Sequence, residues 1–180
     1  MVINAENSLL VVIDIQGNLA QAMHDKVSLF GNLQKIIKGA QILELPIIVT
    51  EQIPEKLGPT IPEIANLFSD FAPIPKASFS CCGEKSFMEK VNSAGRPQIL
   101  LSGIEAHVCV YQTALELMSI GYEVHLLTDC ISSRTAENKC LAIERMKTEG
   151  VKLTSVEMAL FELLKIAAGD KFREIVKLIK

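Results

Sequence analysis

Gln98-Ile99-Leu100-Leu101-Ser102-Gly103-Ile104-Glu105-Ala106-His107-Val108-Cys109 decides the fold. Gln98–Ser102 reads as a strand, because a short, continuous aliphatic run suits a strand covered on both faces. Gly103 supplies a turn. Val108 to Ile120 then has helical spacing and stops at Gly121, a common C-terminal signal. A buried strand, a glycine turn and a helix form half of a βαβ unit.

The alternation continues in both directions. Upstream, Leu9–Ile13 reads as a buried strand. Leu29 to Leu45 places Leu33, Ile36, Ile37, Ala40 and Leu43 at helical spacing, Pro46 ends that helix, and Ile47–Thr50 is a second strand. Lys85 to Ala94 reads as a helix. Downstream, Glu123–Leu127 is a strand, Thr135–Glu149 a helix closed by Gly150, and Lys152–Thr154 a strand; Glu157–Ile166 and Lys171–Ile179 are helices. Strands separated by helices predict a three-layer α/β/α sandwich around a mostly parallel, doubly wound, Rossmann-like sheet. No repeat or linker divides the chain, so residues 1–180 read as a single domain.

One segment breaks the pattern. Gln52 to Pro75 holds Pro54, Pro59, Pro62, Pro73 and Pro75, with periodicity only across Ile61–Phe68. It reads as an excursion containing one short helix. A loop of that length in a compact domain is usually functional.

Bulk properties narrow the function classes. Hydrophobic residues make up 49% and charged residues 22%, which excludes a disordered chain. A formal charge of −3 with scattered Lys and Arg argues against nucleic acid as a partner. Asp14 interrupts the apolar run far short of a membrane span, and Met1 to Ser8 lacks a signal peptide's positive cluster. Five cysteines, with Cys81 and Cys82 adjacent and no C-x-x-C, make neither a disulfide framework nor a zinc pattern. Reduced thiols in the cytoplasm fit best.

A parallel sheet binds ligands beyond the carboxyl ends of its strands. That rule selects Asp14, Glu51–Gln52 and Gly103–Cys109, with the excursion ending at Lys76 able to reach the same edge. Cys109 falls at a helix start, where free N–H groups and the helix dipole favour the thiolate; it could equally be a small buried hydrophobe. Asp14 at the end of an apolar strand needs a partner and could serve as a general base. Lys76, taken alone, reads as a solvated surface residue. His107 is two positions from Cys109 and does not share its helix face. His24 and His125 carry no ligand pattern. There is no G-x-G-x-x-G, P-loop or G-x-S-x-G, and Asp14-Ile15-Gln16 lacks a second carboxylate for a metal site.

Three separated motifs resemble the isochorismatase-like family: Leu9-Leu10-Val11-Val12-Ile13-Asp14-Ile15-Gln16, Pro75-Lys76-Ala77-Ser78-Phe79 and Gly103-Ile104-Glu105-Ala106-His107-Val108-Cys109-Val110. Val49-Thr50-Glu51-Gln52, Leu57-Gly58-Pro59-Thr60-Ile61-Pro62-Glu63 and the stretch Phe172–Lys180 resemble the isochorismatase domain-containing subgroup. The resemblance implies a catalytic triad of Asp14, Lys76 and Cys109. It implies a cis peptide between Ile104 and Glu105, and an oxyanion hole from the N–H groups of Glu105 and Cys109. Nicotinamidase-like relatives bind a metal through an aspartate and histidines after the second strand. Here Glu51-Gln52-Ile53 stands there with no histidine, so no metal and no cofactor is expected.

The expected activity is hydrolysis of a small amide or related acyl compound through a Cys109 thioester, with Glu51, Gln52 and Phe79 as candidate pocket residues. A catalytically silent interaction protein and a thiol redox protein pairing Cys109 with Cys81 or Cys82 remain as alternatives. The resemblance further implies a homo-oligomer acting on a small-molecule substrate. The helix Val108–Ile120 is apolar on more than one face, which leaves some of it for another subunit.

Overall fold

A computed structural model describes residues 2–180. Six strands form one sheet: β1 (Ser8–Ile13), β2 (Ile47–Gln52), β3 (Ile74–Lys76), β4 (Gln98–Ile104), β5 (Glu123–Ser132) and β6 (Lys152–Thr154). Their order is β3-β2-β1-β4-β5-β6, and every neighbouring pair is parallel. The chain begins at the centre, winds outward through β2 and β3, and returns to build the other half from β4. β1 is buried at all six positions, as a strand covered on both faces must be.

The helices divide between the two faces. Leu10 and Val12 of β1 join a core with Leu33, Ile36 and Ile37 of α2 (Lys26–Ile42), Leu160 of α8 (Val156–Leu164) and Ile175 of α9 (Asp170–Ile179). Leu9, Val11 and Ile13 face the other way, onto Phe87 of α5 (Lys85–Ala94), Leu117 of α6 (Tyr111–Ser119) and Met146 of α7 (Ala136–Thr148). The strand period of two thus sorts one aliphatic run into two cores. The expected three-layer doubly wound sandwich is borne out, and its sheet is parallel throughout. Among the described residues no helix is long and apolar enough to cross a membrane.

The larger local differences from the sequence reading lie near the sheet's carboxyl edge. A short helix, α1 (Gly17–Gln21), follows β1 without having been anticipated. The prolyl excursion holds two one-turn helices, α3 (Pro54–Leu57) and α4 (Pro62–Ala65), each with Pro in its first turn, where the missing N–H costs nothing. The excursion then ends in β3, so Lys76 closes an edge strand and does not sit on a loop. Pro75 is tolerated there because one flank of an edge strand needs no donor. β5 runs five residues past the expected end. Its register against β4 slips between Leu101 and Gly103, which brings Ile131 and Ser132 beside Gly103 and Ile104. The helix after β4 opens with a π-helical turn, Ala106–Val110, before α6.

Candidate functional site

The carboxyl ends of β1, β2, β3 and β4 converge on one cleft. Asp14 follows β1 with φ 55, a left-handed conformation unusual for a residue with a side chain. Gly103, with φ 123, lies against Ile13, and a Cβ there would come within 2.2 Å of the Ile13 carbonyl oxygen. The close approach of β1 and β4 beneath the site therefore requires glycine. The Ile104–Glu105 peptide is cis.

Asp14 and Lys76 form an ion pair, with Nζ 2.8 Å from Oδ2 and both side chains at or below 1% exposure. Among the described residues Lys76 is the sole partner of Oδ2. Oδ1 is held: the Thr50 hydroxyl donates to it at 2.7 Å. Lys76 Nζ donates to Gln52 Oε1 at 2.5 Å and to the carbonyls of Ser78 and Phe79 at 3.1 Å each. Burial pulls the Lys76 pKa down, but Asp14 and the neighbouring thiols more than offset this, so the amine stays charged.

Cys109 lies on the wall of the same cleft, 7% exposed, with its thiol 3.9 Å from Gln52 Oε1. Burial first, then the Asp14 carboxylate, push its pKa up to about 12, against the lowering effect of Lys76. This corrects the expectation of a readily ionised thiol. Cys109 is the fourth residue of the π-helical turn and sheltered, so desolvation outweighs its position near a helix start.

The cleft has a volume of about 110 Å³, with Leu19, Leu57, Phe79, Ile104 and Val108 as its apolar walls. Gln52 and Phe79, both expected in the pocket, line it; Phe79 is 57% exposed at the mouth. Glu51 does not line it. Its carboxylate accepts from the backbone N–H and hydroxyl of Thr60, each at 2.7 Å, and so fastens the excursion to β2. Strand alternation is the reason: adjacent residues of β2 face opposite sides. Glu105 also lines the cleft, and the backbone N–H and Nε of Arg134 bond its carboxylate. The Glu105 N–H finds no acceptor among the described residues.

Sequence reasoning missed Thr50 and Gln16. Gln16 Oε1 accepts from Gln52 N at 2.6 Å, and its Nε2 donates to Gln52 O and Gly58 O, tying β2 to the excursion. Both residues lie inside motifs already singled out, but only pairing of β1 with β2 shows which side chains meet. Cys81, fully buried, touches the Thr50 hydroxyl at 3.8 Å and is pushed up to about 12 by burial. His107 bonds Ser133 through Nδ1, away from the thiol. Among the described residues no three His, Cys, Asp or Glu side chains gather in a metal-binding group.

The isochorismatase domain model matches residues 8–158. The chain belongs to the isochorismatase family. Its similarity to the isochorismatase domain-containing proteins is borne out at 34% identity to protein 2 of Danio rerio, over 98% of this chain and 89% of that one. A secreted isochorismatase effector, Isc1, of Phytophthora sojae is 35% identical over 97% of this chain and 85% of its own. Among solved structures, the MAR1 ribonuclease of Caenorhabditis elegans superposes with a TM-score of 0.92 at 34% identity, over 99% and 92% of the two chains. The YcaC protein of Escherichia coli, described as an octameric hydrolase of unknown specificity, reaches 0.92 at 21% identity, over 98% and 89%. That likeness bears on the fold.

Proposed function

We propose that this isochorismatase-family protein is a cysteine hydrolase acting on a small amide or related acyl compound, with Asp14, Lys76 and Cys109 as its catalytic residues. The observation that carries the reading is the buried Asp14–Lys76 pair on the cleft of Cys109, with Lys76 as the sole partner of Asp14 Oδ2. A carboxylate oxygen with a single partner keeps a lone pair with which to take the proton of a neighbouring thiol.

The steps follow from this geometry. Asp14 takes the Cys109 proton as sulfur attacks the carbonyl carbon, so the thiolate exists only when a substrate is present to receive it. The carbonyl π pair moves onto oxygen. The unpartnered Glu105 N–H and the Cys109 N–H hold the resulting charge. Collapse breaks the C–N bond, and Asp14 returns the proton to the leaving amine. A water then gives a proton to Asp14 and attacks the thioester. The C–S bond breaks, the acid leaves, and the thiolate recovers its proton. Lys76 stays charged throughout and stabilises Asp14 and the forming thiolate. No step uses a metal or cofactor.

A homo-oligomer is proposed as the working form, following the octameric E. coli protein and the exposed Ile120 at the end of α6. The five free cysteines suit a reducing compartment such as the cytoplasm.

The test is a turnover screen over amides, carbamates and acyl ureas, with intact-protein mass spectrometry to trap an acyl adduct. A labelled-RNA arm is included because of the C. elegans relative's name. Cys109→Ala should lose the adduct and about 10⁴-fold or more in kcat. Turnover within tenfold of wild type in Cys109→Ala, or RNA cleavage without any acyl turnover, overturns the reading.

A further inference from the structure

We infer that the Cys109 cleft admits compact, uncharged acyl groups and turns away carboxylates, so that its substrate class is a small neutral amide with an apolar acyl chain. The reacting group rests on the hydrolase reading above; the size and charge selection rests on the cleft walls alone.

Size comes first. A cleft of about 110 Å³ is far below the roughly 300–1,000 Å³ of pockets for drug-sized ligands. Its walls leave room for a few heavy atoms beyond the carbonyl, and Leu19, Leu57, Ile104 and Val108 offer those atoms only apolar surface.

Charge decides the rest. The ionised groups on the cleft wall each have a charged partner: Asp14 has Lys76 and Glu105 has Arg134. Lys76 has three N–H protons and four acceptors within 3.1 Å: Asp14, Gln52 and the carbonyls of Ser78 and Phe79. It has no donor left for a substrate. Arg134 bonds Glu105 through its Nε and backbone N–H and forms no part of the wall. A carboxylate carried into the cleft would lose its water, meet no unpaired cation on the cleft wall, and face the Asp14 and Glu105 carboxylates. A neutral carbonyl meets the free Glu105 N–H instead.

The experiment uses thiol alkylation, which needs no turnover. Iodoacetamide and iodoacetate carry the same leaving group on a compact frame, one neutral and one anionic. In both cases sulfur displaces iodide and the thiol proton is released. Second-order rates at Cys109 of the full-length protein are read by peptide mass spectrometry and divided by the rates with 2-mercaptoethanol, a neutral free thiol. Iodoacetamide should be favoured at Cys109 by about tenfold or more beyond that reference ratio. N-phenyl iodoacetamide, neutral but larger, should lag behind iodoacetamide by a similar factor.

A reference-corrected ratio near or below one shows a cation available to substrates and overturns the charge selection. A phenyl derivative reacting as fast as iodoacetamide overturns the size limit. Failure of Cys109 to react with iodoacetamide at all overturns both, because the cleft would not admit the neutral probe. The two readings fail separately. Selective alkylation without turnover sinks the hydrolase reading alone, whereas turnover of carboxylate-bearing amides of equal size sinks the selection alone.

Discussion

The two edges of the sheet each carry a cluster of charges, and the clusters are built differently. At the amino edge, Glu123 opens β5 and is fully partnered: Gln98 donates at 2.9 Å, His125 at 2.7 Å and Lys152 at 2.8 Å. Lys152 is 40% exposed, so solvent shares the work. At the carboxyl edge, Asp14 and Lys76 are sealed from solvent, Asp14 is in a left-handed conformation, and one of its oxygens has Lys76 as its sole partner. A satisfied, half-wet cluster holds three strand starts together. A dry pair has no solvent to share its charge, and its desolvation costs stability. The difference separates charge that holds strands together from charge that the proposed hydrolysis would use.

The sharpest way to break this comparison is Lys76→Met. It leaves the Asp14 carboxylate buried and unpaired, which should cost about 3–5 kcal/mol in denaturant unfolding. Adding Asp14→Asn to the same protein should recover much of that loss while turnover stays absent. If Lys76→Met costs no more than an ordinary surface change, the pair is not sealed as described.

Thr50→Val removes the hydroxyl that holds Asp14 Oδ1 at 2.7 Å and leaves the shape nearly unchanged. The expected loss is about 1.5–3 kcal/mol, the usual range for a hydrogen bond to a charged group. Its kcat should fall while KM holds, because Thr50 is not on the cleft wall. An unchanged kcat would show that Asp14 is oriented by Lys76 alone.

The smallest effect belongs to the amino edge. Glu123→Gln should cost less at pH 7 than either change at the carboxyl edge, because Lys152 is 40% exposed and solvent screens the pair, and it should leave turnover untouched. Its signature is in pH. Burial alone would raise the Glu123 pKa, but hydrogen bonds from Lys152, His125 and Gln98 bring it down to about 2 from an ordinary 4.5. A depressed carboxylate stabilises the fold above its unfolded pKa. That contribution fades as the pH falls from about 4.5 through about 2. Thermal scans should show wild type losing stability across that window, and Glu123→Gln losing less. Equal slopes would show that the cluster is not what acid disrupts.

Much of this contrast was legible in the chain. The aliphatic runs at Leu9–Ile13 and Gln98–Ser102 can be satisfied only in a sheet covered on both faces, and alternation with helices made it parallel. The carboxyl-edge rule then selected Asp14 and Cys109 from position alone. Lys76 was not legible on those grounds: beside prolines it reads as solvated loop, and only its family motif singled it out. β3 was invisible because three residues interrupted by Pro75 carry no periodicity.

What the sequence determined by itself is the sorting of residues into two cores, since a period of two within a strand and of 3.6 within a helix is a local property of the chain. Tertiary structure alone decided the protonation and partners at the site. Pairing of β1 with β2 brings Thr50 to Asp14, pairing of β2 with β3 brings Lys76 to Gln52, and burial in the completed cleft holds the Cys109 thiol protonated where its helix-start position had suggested the opposite. Hydration is lost only when several strands close over a group at once, so no stretch of sequence read alone carries that information.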